Sequence, residues 1–362
     1  MKQRQTQSVM VILPNFNAGG AERVAINYIN HLFHQNMKVY VVIFEDNGAF
    51  KSLLPDEINV ICLGTVRTSQ SFGSLALIIY KLKPDVVFTT HSRTALLVGI
   101  VRLFTFRFVH IARMQSMPSL ERASKSYGRI RRYMYAFGFK QADRVIAQTE
   151  AMRLDAIRVF GLQAYRVRVL PNLVDVRSIE LSLLGQMSPF DHSKINAVAA
   201  GRLCRAKGFD VLIKAIPKVI NSLPNFRLHI LGGDGGDIKI LTNLIDSLGM
   251  QGYVKILGHI TNPYIYFANC SLFILSSRRE GFPNVLLENY TLNTPIVATQ
   301  CVPVVDELIK NGVNGYTVPT DDVNKMVLAI LKCSEIKRDG IKNSAYMPGD
   351  IVSLIHETIS IE

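Results

Sequence analysis

Two glutamates in the C-terminal half of the chain, Glu280 and Glu288, are the residues whose type and spacing could most readily do chemistry. They lie eight positions apart in the stretch SRREGFPNVLLENY, residues 277–290, on either side of a Gly-Phe-Pro-Asn turn. An apolar run precedes the stretch and predicts a strand, and Pro283 favours a helix start because its fixed φ suits the first helical position. Unpaired N–H groups at a helix start suit a phosphate. The alternative is that both carboxylates are solvated surface charges.

A second cluster, GRLCRAKG at residues 201–208, follows the predicted strand 195–200 and carries two cations. Arg202 offers a planar fork of N–H donors and Lys207 offers a point charge, a combination that suits a diphosphate. The alternative places both side chains in water without a ligand. Two cations on the same sheet as the helix start at 281–285 favour the anion-binding interpretation.

Two glycine-rich loops also follow predicted strands. LGGDGGD, residues 231–237, is not a dinucleotide fingerprint, because Ile238 occupies the position of its last glycine. It is either a flexible turn or a close approach of backbone to a nucleotide. The loop PNFNAGGAER, residues 14–23, places Gly19 and Gly20 before a predicted helix, and alone this is weak evidence for a ligand.

Metal and covalent chemistry find little support in the sequence. His91 follows a predicted strand and could reach a ligand, although a lone histidine is more often structural. There is no Ser-His-Asp spacing, no His-x-x-x-His and no Asp-x-Asp pair, so we expect neither a protein-held metal nor a cofactor. The five cysteines form no Cys-x-x-Cys pair, which argues against a disulfide framework and favours a reducing cytosol.

Alternating strand and helix patterns must position these loops. Continuous apolar runs indicate strands that are buried on both faces of a parallel sheet covered by helices. The first series of predicted strands is 9–13, 39–44, 59–63, 85–90, 108–112, 144–148 and 166–170. The second series is 195–200, 227–231, 254–257, 271–276, 295–299 and 315–318. In doubly wound sheets ligands bind beyond the carboxyl ends of the strands, where every candidate above lies.

The length of 362 residues suits two domains that face each other across a cleft. We predict one domain over residues 1–175 and a second over residues 176–362. The last helix, about residues 349–361, either stays with the second domain or packs back on the first.

Charge is concentrated in the first half of the chain. Residues 1–175 contain 23 lysines and arginines against 11 aspartates and glutamates, a net charge of +12 out of +13 for the whole chain. Such a field attracts an anionic membrane surface, a phosphorylated substrate or nucleic acid. The basic and aromatic segment 122–144 suits a membrane interface, or it is a domain helix with aromatic residues in the core. No run is long enough to span a membrane, and the apolar run at 9–13 is too short for a signal peptide.

Together these motifs resemble glycosyltransferase family 4, whose members have the GT-B fold of two Rossmann-like domains. The resemblance spans the chain in the family's order, through GGAER, GRLCRAKG, REGFPNVLLE and NGVNGYTVP. Its most specific element is the Glu-x7-Glu pattern from Glu280 to Glu288, which is the signature of retaining GT-B enzymes.

The resemblance implies that the domain 1–175 binds the acceptor and the domain 176–362 binds the nucleotide sugar, and it implies roles for the candidate residues. Glu288 would bind the ribose hydroxyls of a nucleotide-sugar donor, and Glu280 would bind the transferred sugar. Arg202 and Lys207 match the pair that binds the donor diphosphate, and with Glu280 they form the implied catalytic set. The remaining implied donor-binding residues are Gly19, Gly20, Gly281, Phe282, Pro283 and Asn284.

Two departures from the family pattern concern the acceptor side and the sugar. Many relatives carry an Arg-x-His motif in the N-terminal domain, whereas this chain has Arg113-Met114-Gln115. Gln115 can hydrogen-bond a sugar hydroxyl but cannot be a base. Our acceptor-side candidates are therefore His91, Arg113 and Gln115. The glycine-rich approach to Glu307 is also altered, to CVPVVDEL, which weakens Glu307 as a sugar contact.

From sequence we predict a retaining, metal-independent transferase that moves a hexose or N-acetylhexosamine, most consistent with a UDP-linked donor, to a lipid-linked oligosaccharide. The protein would be cytoplasmic, peripheral at the inner face of the cell membrane, and would serve bacterial surface polysaccharide assembly. One alternative is a non-catalytic peripheral membrane protein with a nucleotide-binding fold. Another is a nucleotide-sugar epimerase, which needs no acceptor. No nucleic-acid-binding motif is present, so we expect no nucleic acid as partner.

Overall fold

The structure is a computed structural model. It describes residues 7–17, 19–65, 68–106, 108–119, 128–343 and 350–361. Residues 122–127 of the predicted membrane-interface segment and residue 349 of the predicted last helix lie outside these ranges. The chain divides into two compact units, one made of residues 1–174 and 348–362 and the other of residues 175–347.

Each unit is built on one parallel sheet, as the apolar runs predict. The first unit has seven strands in the order β3-β2-β1-β4-β5-β6-β7, and the second has six in the order β10-β9-β8-β11-β12-β13. The strands of the first unit are β1 Ser8–Leu13, β2 Lys38–Ile43, β3 Asn59–Cys62, β4 Val86–Thr89, β5 Val109–Arg113, β6 Arg144–Ala147 and β7 Val167–Val169. Those of the second are β8 Ile195–Ala200, β9 Phe226–Leu231, β10 Val254–Gly258, β11 Leu272–Leu275, β12 Ile296–Thr299 and β13 Gly315–Val318.

Helices connect the strands in both units. In the first unit they are α1 Gly20–His34, α2 Phe72–Leu82, α3 Ser92–Val101, α4 Arg129–Lys140 and α5 Glu150–Phe160. In the second they are α6 Val176–Leu183, α7 Phe209–Ser222, α8 Ile238–Ser247, α9 Tyr264–Asn269, α10 Asn284–Thr291, α11 Val304–Leu308 and α12 Val323–Cys333. The last helix, α13 Ile351–Ile361, belongs to the first unit, where Ile351 and Leu354 join its core.

Alternation along the strands builds a core on each face of the first sheet. Val9, Val11 and Leu13 of β1 pack on one face with residues of α1 and α13. Met10 and Ile12 face the opposite side, where they join residues of α2 and α3. Since side chains alternate with a period of two, burial on both faces explains why these strands read as continuous apolar runs.

Helix α4 packs closely on α3 through small residues. A Cβ on Gly138 would overlap the backbone of Leu96, and one on Gly99 would lie 3.3 Å from the Cα of Gly138. Tyr135 and Phe139 of α4 are buried in the core, as one interpretation of the basic aromatic segment predicts. The opposite face of α4 is exposed to solvent. Among the helices that the structure describes, none combines the length and the hydrophobicity needed to cross a bilayer.

Candidate functional site

In the second unit, two loops at the carboxyl ends of neighbouring strands bring Lys207 and Glu280 together. Lys207 lies beyond β8 and Glu280 beyond β11. The Lys207 ammonium is 2.6 Å from Oε1 of Glu280, and the two side chains are 20% and 11% exposed. The sequence assigned these residues separate ligands. In the structure they form an ion pair with each other, so a diphosphate that bound at Lys207 would share its ammonium with Glu280.

Two serines at the end of β11 hold this pair, and sequence reasoning missed both. The Ser277 hydroxyl donates to Oε1 of Glu280 over 2.6 Å. The Ser276 hydroxyl donates to the main-chain oxygen of Lys207 over 2.8 Å. Both serines are buried. Their position at a strand end, directly before the charged stretch, is the signal that could have identified them.

The loop between Ser276 and Lys207 depends on a glycine. Gly208 has φ +64°, and a Cβ there would overlap the carbonyl oxygen of Ser276. This left-handed backbone and close approach leave room only for glycine. The Lys207 segment can therefore lie directly against the end of β11.

Helix α10 begins at Asn284, directly after Pro283, as its sequence predicts. Phe282 is buried, whereas Gly281 is partly exposed. The first turn is closed by a 2.9 Å bond from the amide of Leu286 to the carbonyl of Pro283. The segment between the two glutamates thus ends in the first turn of an eight-residue helix.

Glu288 lies one turn inside α10 and is 8% exposed. The Tyr264 hydroxyl, from the first residue of α9, donates to Oε1 of Glu288 over 3.4 Å. The alternative that Glu288 is a solvated surface charge is therefore wrong. Tyr264 is a further residue that spacing alone could not reveal.

Arg202 differs from the Lys207–Glu280 pair because its side chain is exposed. Among the residues that the structure describes, none forms a hydrogen bond or ion pair with its guanidinium. A cation in this state can bind an anionic ligand without breaking an existing contact. The side chain is therefore suited to the diphosphate role that the sequence implies.

The glycine-rich loop 231–237 is an ordered turn. A Cβ on Gly232 would overlap the carbonyl oxygen of Gly201, so the two loops touch through their backbones. Oδ1 of Asp234 accepts hydrogen bonds from the amides of Gly236 and Ile238 over 2.8 and 3.3 Å. These contacts fit a close backbone approach better than a free turn, and binding of a nucleotide at this loop stays a prediction.

In the first unit, His91 pairs with Glu22, a residue that the sequence did not single out. Nε2 of His91 is 3.2 Å from Oε1 of Glu22, and the side chains are 14% and 18% exposed. Nδ1 of His91 is 2.9 Å from the Thr90 hydroxyl. A Cβ on Gly19 would meet only the carboxylate end of the Glu22 side chain, which can move, so the space at this position does not require glycine.

Arg113 and Gln115 have different environments. Arg113 is buried, and its Nη2 donates to Oδ1 of Asn172 over 2.6 Å. Burial lowers the pKa of the Arg113 guanidinium, against the effect of nearby Tyr28 and Glu22. Gln115 is partly exposed. Arg113 therefore lies in the interior of the unit, whereas Gln115 is partly open to solvent.

No metal centre is visible in the part of the chain that the structure describes. In these ranges, no group of three or more histidine, cysteine, aspartate or glutamate side chains could hold a metal ion. All five cysteines are free. Burial raises the pKa of Cys301 to about 12, and the Glu280 carboxylate adds to this shift, so the thiol stays protonated at neutral pH.

Two doubly wound parallel sheets, one in each unit, are the architecture of the GT-B fold. Family models agree: the one described as Glycosyltransferase Family 4 matches residues 18–178, and the one described as Glycosyl transferases group 1 matches residues 186–346. The chain belongs to glycosyltransferase family 4 and is an enzyme of that class.

Three similar proteins illustrate this membership. An N-acetylgalactosamine-N,N'-diacetylbacillosaminyl-diphospho-undecaprenol 4-alpha-N-acetylgalactosaminyltransferase of Campylobacter jejuni is 24% identical over 332 residues, 88% of each chain. An uncharacterized glycosyltransferase of Methanocaldococcus jannaschii is 29% identical over 234 residues, which are 62% of this chain and 57% of that protein. The crystal structure of Anabaena HepE with UDP and glucose superposes with a TM-score of 0.79 at 22% identity, over 98% of this chain and 100% of that one.

Proposed function

We propose that the protein is a retaining, metal-independent glycosyltransferase that transfers a hexose or N-acetylhexosamine from a UDP-sugar to a lipid-linked oligosaccharide. Bacterial surface polysaccharide synthesis would be its setting. The observation that carries the proposal is the Lys207–Glu280 ion pair at the strand ends of the second unit, 2.6 Å long and largely buried. It supplies a cation for a diphosphate and a carboxylate for a sugar at one place.

Charge stabilisation is the main chemical task in this reaction. Breaking the bond between sugar and diphosphate leaves growing negative charge on the phosphate oxygens, so donors that are already in place stabilise the transition state. Hydrogen bonds to charged groups contribute about 1.5–3 kcal/mol each, and a helix start contributes about 0.3–1 kcal/mol. Arg202, Lys207 and the start of α10 would together supply roughly 3–7 kcal/mol, or about two to five decades of rate.

Proton transfer needs no dedicated acid in this scheme. A diphosphate leaves without being protonated, and one of its oxygens can accept the proton of the acceptor hydroxyl. The buried Glu288 carboxylate, which already accepts a hydrogen bond from Tyr264, can accept hydrogen bonds from the ribose hydroxyls of the donor. Glu280 would contact the transferred sugar.

Similar proteins support the substrate classes. The Campylobacter relative is named for transfer of N-acetylgalactosamine to a diphospho-undecaprenol-linked acceptor, and the Anabaena structure contains UDP and glucose. We carry both classes over to this chain as proposals: a UDP-sugar as donor and a lipid diphosphate oligosaccharide as acceptor.

The exposed face of α4 supports an anionic membrane surface as partner. Four large apolar residues of this helix are between 38% and 76% exposed and lie at positions i, i+3, i+4 and i+7, which is one helix face: Ile130, Tyr133, Met134 and Phe137. Arg131 and Lys140 of the same helix are exposed as well. An apolar stripe flanked by cations matches the interface of an anionic bilayer.

Transfer to a defined acceptor is the test of the enzymatic proposal. Full-length protein is incubated with UDP-glucose, UDP-galactose and their N-acetyl forms, together with an undecaprenyl-diphosphate-linked sugar. We expect transfer with retention at the anomeric carbon and without added metal, and a loss of at least tenfold in Glu288→Ala. Asp191→Asn is the matched control because Asp191 is an exposed carboxylate of the same unit. Absence of both transfer and UDP-sugar affinity in calorimetry would overturn the proposal, and acceptor-free conversion of the donor would indicate an epimerase.

Vesicle sedimentation tests the membrane part separately. Wild-type protein should bind vesicles that contain phosphatidylglycerol and should bind less as salt increases, because exposed charges are screened. The double variant Ile130→Ser and Phe137→Ser should bind weakly. Leu328→Ser, at a residue that is 57% exposed in the second unit, is the control. Equal binding of all three proteins would contradict this assignment of the membrane-facing surface, and self-association through α4 would indicate a second copy as its partner instead.

A further inference from the structure

Arg278 is the most heavily bonded arginine near the candidate site, and the proposed function gives it no role. Its Nη1 and Nη2 donate to the two carboxylate oxygens of Asp210 over 2.7 and 2.8 Å. Its Nε donates to Oδ1 of Asp321 over 2.6 Å. The guanidinium therefore uses its planar fork against one carboxylate and its remaining edge against a second.

Arg278 also binds the backbone of the segment that carries Lys207. Its Nη1 donates to the carbonyl oxygen of Arg205 over 2.7 Å, and its own amide donates to the carbonyl of Ala206 over 2.8 Å. The segment 205–207 is thus fixed by both the main chain and the side chain of one residue. Lys207 is the next residue after Ala206, so its backbone position follows from these bonds.

The surroundings of Arg278 are unusual for a surface ion pair. Asp321 has φ +62°, in the left-handed region that residues other than glycine seldom adopt. Such a backbone persists when neighbouring contacts impose it, and it is often found at functional sites. The hydrogen bonds from Arg278 lower the pKa of Asp210, and those to Asp210 raise the pKa of Arg278. Bidentate, networked pairs of this kind are the exception to the weakness of surface ion pairs.

We propose that Arg278 is a positioning residue of the donor site. It holds the segment 205–207 against the end of β11, so that the Lys207 ammonium lies at the Glu280 carboxylate before the diphosphate of a nucleotide sugar arrives. The inference rests on the proposed function, because it concerns the same donor. Its physical basis is preorganisation, since a misplacement of about 1 Å can reduce a rate by roughly 10²-fold.

A residue that only stabilises the fold would have different effects. Loss of Arg278 would then lower the melting temperature and leave the rate per folded molecule unchanged. A positioning residue acts through Lys207, so its effect should disappear once the Lys207 ammonium has been removed. Contacting residues show such non-additivity, whereas independent sites add.

A double-mutant cycle tests this distinction in the full-length protein. Arg278→Gln should lower kcat for UDP-sugar transfer by about 10–100-fold. In a Lys207→Met background the same change should lower kcat by less than about threefold, and Asp210→Asn should behave like Arg278→Gln. Equal losses in both backgrounds would overturn the proposal. Arg227→Gln is the control, because Arg227 bonds to the carbonyls of Pro224 and Phe226 and lies over the Tyr253 ring, away from the segment 205–207.

A second measurement does not require activity. Hydrogen exchange of the amides at 206–208 should be faster in Arg278→Gln than in wild type, and unchanged in Arg227→Gln. Unchanged exchange in Arg278→Gln would overturn the inference even if transfer were never detected. Faster exchange in a protein that neither binds UDP-sugar nor transfers it would show that Arg278 holds the segment 205–207 but would reject the proposed function. The two failures are therefore distinguishable.

Discussion

The loops at the strand ends of the two units differ in how their charged side chains are held. In the second unit Lys207 pairs with Glu280, and Arg278 pairs with two aspartates. In the first unit His91 pairs with Glu22, whereas the Arg113 guanidinium is enclosed in the interior. In the described part of the second unit these pairs lie in the loops after the strands, whereas in the first unit a partly exposed His91–Glu22 pair lies near the buried Arg113.

This difference fits the proposed roles of the units, with donor binding in the second and acceptor binding in the first. A diphosphate has the same geometry in every nucleotide sugar, so a fixed arrangement of donors can serve it. Acceptors differ in shape, so a unit that binds them gains less from a rigid set of charges. The predictions below test whether the second unit is the more tightly constrained of the two.

The largest expected effect lies in the ion pair of the second unit. Lys207→Met and Glu280→Gln should each lower kcat by about 10²–10³-fold, because each removes a preplaced charged partner of the transition state. His91→Asn in the first unit should lower kcat by less than about tenfold. Initial rates at saturating UDP-sugar and acceptor give the comparison.

Circular dichroism and thermal melts of the same variants provide the control for folding. A variant that melts near the wild-type temperature but has lost turnover has lost chemistry rather than structure. If His91→Asn lowers kcat as much as Glu280→Gln, the His91–Glu22 pair of the first unit contributes as much to turnover as the Lys207–Glu280 pair.

A smaller effect is expected from two glycines with the same backbone conformation. Gly208 and Gly249 have φ +64° and +67°, but only Gly208 would place a Cβ against another backbone atom. Gly208→Ala should therefore lower the free energy of unfolding by about 2–4 kcal/mol more than Gly249→Ala, since overlap adds to the left-handed strain that both share. Urea denaturation measures the difference. Equal losses in the two variants would mean that the close approach of Gly208 to the Ser276 carbonyl does not require glycine.

Much of the fold could be predicted from the sequence. The thirteen strands of the two sheets lie where the sequence predicts them, in series of seven and six. The central strands follow from continuous apolar runs, because strands buried on both faces need no polar alternation. The edge strands β3 and β7 are partly exposed, so the expectation that they are buried is wrong for them. The start of α10 follows from Pro283 because proline restricts one backbone angle locally. Both signals depend on neighbouring residues in the chain.

The contacts within the site could not be predicted in this way. Glu280 meets Lys207 across 73 positions, and His91 meets Glu22 across 69. Asp321 reaches Arg278 across 43 positions through a backbone angle that no local pattern announces. Such partners depend on how strands are ordered in the sheet. The motifs identified which loops matter, and the tertiary structure determined which side chains meet.

The smallest expected effect is on pH dependence and concerns a buried histidine in each unit. Burial lowers the pKa of His110 in the first unit to about 3, and that of half-buried His229 in the second to about 4. Each unfolded histidine binds a proton below about pH 6.5, whereas the folded form stays neutral until its lower pKa is reached. The unfolded state therefore binds more protons in this window, and stability falls as pH drops from about 6.5. The buried His110 contributes a slope of up to about 1.4 kcal/mol per pH unit. His229 contributes less, because solvent screens its charge. Urea denaturation between pH 4 and 7 should show a shallower slope in His110→Gln and in His229→Gln, and the flattening should extend to lower pH in His110→Gln. An unchanged slope in both variants would mean that these histidines are protonated in the folded protein.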